Sequence, residues 1–104
     1  MNVIKHENSL ILIPETNLTA SSIEELRDYF REQLNQHPNI ARVILDVSGV
    51  NSVDSLGVNL IVGLYREVME KSGTIEVIGA NENFMKVANF FRLPSLFSIR
   101  RAEK

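Results

Sequence analysis

The chain contains no cysteine, which removes disulfides, thiolate nucleophiles and cysteine-ligated zinc together and suits a reducing compartment. Histidine is scarce: His6 and His37 are the only two. They stand far apart, no His-Glu-x-x-His pattern or acidic calcium loop accompanies them, and no metal site is expected. Long apolar runs are missing as well. The longest, Leu60-Ile61-Val62-Gly63-Leu64-Tyr65, is far too short to span a bilayer, and Met1-Asn2-Val3-Ile4-Lys5 lacks the apolar segment of a signal peptide. A soluble, cytoplasmic protein with no membrane partner is expected. Charge of one sign is not in excess either, since the formal net charge of -2 gives no reason to expect nucleic acid or an anionic surface as partner. Neither a Gly-x-Gly-x-x-Gly element nor a Walker loop is present, so no cofactor is expected. Position 53 is Val53, which rules out a Gly-x-Ser-x-Gly elbow around Ser55. No catalytic residue is assigned, and the chain is read as a non-enzyme.

What remains is ordinary globular composition, 44% hydrophobic and 23% charged over 104 residues, enough for one modest core. No linker divides it, so residues 1–104 are taken as one domain. Two short runs, Asn2–His6 and Ser9–Ile13, flank Glu7-Asn8 and predict an antiparallel hairpin. Ser21-Ser22-Ile23-Glu24 has the pattern of a capping box, and Ile23, Leu26, Phe30 and Leu34 recur at helical spacing through about residue 35. After His37-Pro38-Asn39, the apolar run Ala41–Val47 reads as a central strand buried on both faces. A second helix is expected from about Ser55 to Lys71, with Gly73 as the C′ residue that ends it. Strand Thr74–Gly79 follows. A third helix, from Asn83 to about Phe91, carries Phe84, Val87, Ala88 and Phe91 on one side and stops before Pro94. A last strand is expected near Leu96–Ile99. Strands alternating with helices after an opening hairpin make the class α/β, with a mixed sheet, parallel right-handed βαβ crossovers and about three helices.

The second helix carries more apolar residues than one buried stripe requires. Spacing sorts Leu60 or Ile61, Leu64 and Val68 towards the sheet and leaves Val58, Val62, Tyr65 and Met69 nearer a flank. That flank is either a partner patch or a surface covered by a neighbouring helix. Arg66, Glu67, Glu70 and Lys71 read as a solvated face with i, i+4 pairs.

The most telling stretch is Asp54-Ser55-Leu56-Gly57, between the strand's exit loop and this helix. A hydroxyl at such a junction lies beside N–H groups that have no intrahelical partner, where the macrodipole favours negative charge, so a phosphate could be accommodated. The same residues also fit a plainer role, with Asp54 or Ser52 as N-cap and Ser55 as an exposed first-turn residue. Gly57 either leaves the first turn open to an approaching protein or is needed for close helix packing.

Val43-Ile44-Leu45-Asp46-Val47-Ser48-Gly49-Val50, then Val53-Asp54-Ser55-Leu56-Gly57-Val58, then the helix to Gly73 and the strand Ile75-Glu76-Val77-Ile78-Gly79, together resemble the STAS domain of bacterial anti-sigma factor antagonists. The resemblance covers nearly the whole chain. It implies that Ser55 is the acceptor of a phosphate placed by a serine kinase that is also the anti-sigma factor, and that a metal-dependent serine phosphatase removes it. It further implies that unmodified protein sequesters the kinase and so frees a sigma factor, with Asp54, Ser55, Leu56, Gly57, Val58 and Asn17 forming the partner-binding surface. Two positions depart from the family pattern. Asn17 stands after the second strand where an aspartate is common, and Leu56 stands where many relatives carry a small polar residue. A weak homodimer is left open. Two other readings compete: a receiver-like phosphocarrier using Asp46, and a STAS module that senses a nucleotide or lipid near the same helix end or answers to another kinase-controlled pathway.

Overall fold

A computed structural model describes residues 1–102. The hairpin forms as expected, with β1 (Asn2–His6) antiparallel to β2 (Ser9–Ile13). Glu7 in its turn takes a positive φ of 54°. Helix α1 (Ile23–Gln36), β3 (Arg42–Asp46), α2 (Ser55–Glu70), β4 (Thr74–Ala80), α3 (Glu82–Phe90) and β5 (Ser98–Arg101) follow in turn. The five described strands form one sheet in the order β1-β2-β3-β4-β5, and every pairing after the hairpin is parallel. Each crossover steps one place in the same direction, so connections of one hand carry all three helices to one face of the sheet.

That one-sidedness corrects the expectation for β3. Val43 and Leu45 are sealed, whereas Ile44 between them and Asp46 after them are only half-buried. The same alternation runs through β2 and through β4 from Thr74 to Ile78. The apolar run looked two-sided because Ile44 sits on the open face, in register with Ile11 of β2. The covered face builds the core: Leu10, Leu12, Val43, Leu45, Ile75 and Val77 from the sheet meet Leu26, Phe30 and Leu34 of α1, Ile61, Leu64 and Val68 of α2, and Phe84 of α3. Among the described residues no charged or polar side chain is buried in it. Tyr29 ties α1 to the hairpin, its hydroxyl donating to the Asn2 carbonyl and accepting from the Ile13 N–H at 3.1 Å. Burial raises the Tyr29 pKa, and the Ile13 N–H offsets part of that rise.

Helix ends depart from the sequence reading in instructive ways. No side-chain hydrogen bond caps α1 at Ser22; residues Ala20–Ser22 form a 3-10 turn instead, and Ser21 Oγ pairs with Thr19 Oγ1 at 3.2 Å. Helix α2 ends in a Schellman arrangement in which Ser72, at φ 61°, is the left-handed residue. Its N–H reaches Met69 O at 3.0 Å, and the Gly73 N–H reaches Val68 O at 2.9 Å. Gly73 therefore lies one place beyond the predicted C′ role. Its small size matters for a different reason, because a Cβ there would lie 3.1 Å from both the Ala41 oxygen and Val68 Cγ1. In α3, Phe84 and Ala88 are buried as expected, but Phe91 is 41% exposed and Phe90 is 80% exposed. The last strand starts at Ser98, and Leu96 lies outside it.

Candidate functional site

At the C-terminal edge of the parallel strands, loop 14–22 after β2, loop 47–54 after β3 and the Asn81 junction after β4 lie side by side. Helix N-termini point to this edge, and ligands of open parallel sheets gather there. Loop 47–54 is bonded on both flanks. On one side Leu18 and Val53 form a parallel bridge, with the Leu18 N–H donating to Ser52 O and the Asp54 N–H donating to Leu18 O, both at 3.0 Å. Asn17 Oδ1 accepts from the Asn51 N–H at 3.0 Å and the Ser52 N–H at 3.2 Å. On the other side Asn81 Nδ2 donates to Val50 O at 3.2 Å and Asn83 Nδ2 to Asn51 O at 3.4 Å. Asn81 also caps α3, its Oδ1 accepting from the Phe84 N–H at 2.7 Å.

Asp54 is the N-cap of α2, with extended backbone (φ -114°, ψ -174°). Its two oxygens serve two elements: Oδ1 accepts from the Gly57 N–H and Oδ2 from the Ala20 N–H, each at 3.0 Å. The Gly57 and Ala20 N–H groups hold its carboxyl below the usual carboxylate range, against a smaller opposing effect of desolvation. The carboxylate is thus a clamp between loop 14–22 and the first turn of α2. Ser55 follows it as the first helical residue, and its side chain is exposed. The first turn of α2 contains no acidic residue, whereas α1 has Glu24 and Glu25 there and α3 has Glu82. Beyond the cap, the positive end of the α2 dipole faces a neutral hydroxyl.

The remaining residues assigned to the site divide. Asn17 and Leu56 are exposed, Leu56 at 46%. Gly57 and Val58 are not on the surface. Val58 is 3% exposed and belongs to the core, so its predicted place on a flank and in a partner-binding surface is corrected; the helix enters the core about one turn sooner than the stripe suggested. Gly57 is buried because α2 starts hard against loop 14–22. A Cβ on it would overlap the Leu18 carbonyl oxygen and lie 2.7 Å from the Leu18 carbonyl carbon. Of its two readings, close packing is the one the geometry supports. The flank itself is largely covered: Tyr65 packs on Phe97 with ring centroids 5.6 Å apart, Val62 is half-buried, and Met69 is 51% exposed.

Asp46, the acceptor in the receiver-like reading, is occupied structurally. Its Oδ1 accepts from the Ser48 N–H at 3.0 Å, and Gly79, at φ 76°, passes so close that a Cβ would lie 2.9 Å from the same oxygen. Among the described residues no three His, Asp or Glu side chains come together as a metal site would require. Among the same residues no helix is long and apolar enough to cross a membrane. The sequence reading missed Leu18, Ala20 and Asn81. Asn81 carries a readable signal, an asparagine directly before a helical pattern; Leu18 and Ala20 act through backbone atoms that any residue but proline would supply.

A mixed sheet, parallel beyond its opening hairpin and covered by helices on one face, with a capped serine-bearing helix start on the C-terminal edge of its parallel strands, defines a small α/β domain built around a loop-to-helix junction. The STAS domain model matches residues 1–104, and the chain belongs to the STAS domain family. No curated protein sequence matches it. The crystal structure of a candidate anti-sigma factor antagonist from Thermotoga maritima superposes with a TM-score of 0.86 at 20% identity, covering 95% of this chain and 84% of that one. The anti-sigma factor antagonist SpoIIAA in its unphosphorylated form gives 0.79 at 18% identity over 98% of this chain and 88% of its own. The phosphorylated form of SpoIIAA, from Bacillus, gives 0.69 at 19% identity, covering 98% and 91%. A sulfate transporter family protein from Wolinella succinogenes gives 0.76 at 11% identity over 92% and 80%. At such identities these likenesses show a shared fold, one that anti-sigma factor antagonists and a sulfate transporter family protein both use.

Proposed function

We propose that this chain is an anti-sigma factor antagonist whose binding is switched by phosphorylation of Ser55. In the unmodified state it sequesters an anti-sigma factor that is also a serine kinase, freeing a sigma factor. The observation that carries the reading is the exposed Ser55 at the first position of α2, beside a carboxylate whose two oxygens each accept a backbone N–H. Asp54 accepts two backbone N–H groups, so it holds the junction still; the proton acceptor for phosphoryl transfer comes from the kinase. Ser55 Oγ attacks the γ-phosphorus of ATP in the kinase site, its proton passes to a kinase base, and ADP leaves. A metal-dependent serine phosphatase reverses the change with water, returning serine and inorganic phosphate.

The modification adds about -1.5 to -2 charges and strong acceptor oxygens next to Asp54. Repulsion between the two anions is offset in part by the α2 N-terminus, which stabilises an exposed anion by about 0.3–1 kcal/mol. The fold survives and the interface does not, because desolvating a new dianion against a surface with no matching cation costs far more than the dipole returns. The test is binding of the kinase to three forms of the protein. Ser55→Ala binds constitutively, whereas Ser55→Asp and the phosphoprotein bind at least tenfold more weakly, with thermal midpoints close to that of the unmodified chain. Equal affinities for Ser55→Ala and the phosphoprotein reject the switch.

A further inference from the structure

A groove of about 310 Å³ runs between α1 and α2 and begins beside the Ser55 junction. Its α1 wall carries Arg27 and Arg31, and its α2 wall carries Leu56, Leu60, Gly63 and Glu67. Two features of this groove have no explanation within the fold. Gly63 occupies the interior of a helix, where glycine is intrinsically unfavourable, although a Cβ there would meet nothing within 4 Å. Nothing in the packing asks for its smallness, unlike that of Gly57 in the same helix. Arg27 and Arg31, one helical turn apart on the same face, are exposed like charges at a mutually unfavourable spacing, and neither is in an ion pair among the described residues. Leu56, 46% exposed, and half-buried Leu60 repeat the one-turn spacing on the opposite wall.

We propose that this groove receives an amphipathic helix of a partner protein, its apolar stripe lying on Leu56 and Leu60 and acidic side chains one turn apart pairing with Arg27 and Arg31. Charge complementarity selects this occupant. Glu67 on the α2 wall repels an acidic flank, so the acids face α1 and the incoming helix takes one orientation about its own axis. Gly63 removes the side chain that would otherwise hold that helix away. Apolar contacts at one-turn spacing are how grooves of this kind read helices. The inference rests on the reading of the chain as a protein-binding module and specifies the segment that binds. Because Leu56 belongs to both the groove and the junction, a phosphate on Ser55 lies at one end of the docked helix.

The probe is a designed, fluorescently labelled helical peptide of about five turns, with leucines along one stripe and glutamates one turn apart on its flank. Its twin carries lysines in place of the glutamates. The protein binds the glutamate peptide at least tenfold more tightly than the lysine peptide. Gly63→Leu, which fills open space without lowering the thermal midpoint, weakens the glutamate peptide at least tenfold. Arg27→Glu/Arg31→Glu reverses the preference between the peptides. Equal binding of both peptides, binding of neither, or indifference to Gly63→Leu overturns the proposal. The kinase-binding comparison of Ser55 variants stands apart from these measurements: peptide selectivity without any effect of Ser55 phosphorylation on kinase binding keeps the groove and removes the switch, and the converse removes the groove alone.

Discussion

Helix α2 has two glycines that mean opposite things. At its first turn Gly57 is buried against the Leu18 backbone, in a region where every neighbouring loop is bonded to another; at its middle Gly63 faces open space. The first region is over-determined and the second is under-filled. A rigid first turn fixes the position of the hydroxyl next to it, while an unfilled middle leaves a surface to which something else can be fitted. The same residue type therefore reports a structural demand at one site and an absence of structural demand at the other.

Gly57→Ala is the strongest way to break that contrast. Replacing a helical glycine by alanine ordinarily stabilises by about 0.5–1 kcal/mol. Here the new methyl overlaps a carbonyl oxygen that accepts from the Asp54 N–H, on a residue whose own N–H is bound to Ser52 O. Backbone pinned at both groups cannot yield as a flexible side chain does, so overpacking wins and the net loss is about 2 kcal/mol or more in urea unfolding. A stabilised Gly57→Ala protein contradicts the account of the first turn. Under the proposed switch, weaker phosphorylation of Ser55 would accompany the loss, since loop 14–22 and the first turn of α2 must part to admit the methyl.

Asn17→Ala probes the same region more gently. It removes the acceptor of the Asn51 and Ser52 N–H groups in an exposed setting, which costs about 1 kcal/mol and raises hydrogen exchange at those two amides. Asn17→Asp, which restores the aspartate common in the family, keeps both bonds in charge-assisted form and matches or exceeds the parent stability. Gly63→Ala tests the other pole of the comparison with the opposite sign, a gain of about 0.5–1 kcal/mol by the same unfolding measurement. A loss there means the groove is tighter than its geometry indicates.

How much of this was legible beforehand follows from which atoms do the work. The hairpin was readable because two alternating runs close on a two-residue turn, and α2 because Asp54 and a dense apolar repeat mark its start. The one-sided sheet was not, since Ile44 looks the same to the eye whether helices cover it or water reaches it; only the order of strands decides that. The α1 cap failed as a prediction because the Ala20 N–H is claimed by Asp54 from the neighbouring loop and the chain enters α1 through a 3-10 turn. The sequence pattern assigns to Gly73 the left-handed position that Ser72 takes, because glycine is the commoner choice and a serine there leaves no signal. The candidate site was visible as Asp54 and Ser55, while its rigidity resides in Leu18 and Ala20 backbone groups that no residue type announces.

The smallest expected effect concerns the Asp54 clamp under acid. Its carboxyl is depressed by the Gly57 and Ala20 N–H groups, so the folded state favours the ionised form more than the unfolded chain does. A group of this sign contributes stability that is fully present above its unfolded pKa, about 3.9 for aspartate, and lost as pH falls through the lower folded value. Asp54→Asn keeps one acceptor for the Gly57 N–H and leaves the Ala20 N–H without its carboxylate partner, so at neutral pH its thermal midpoint falls slightly below that of the parent. On titration below about pH 4 the two midpoints converge, because protonated Asp54 no longer offers two charged acceptors. A gap that stays constant into acid would mean that the carboxylate's charge adds nothing to the clamp and that its shape alone holds the two loops together.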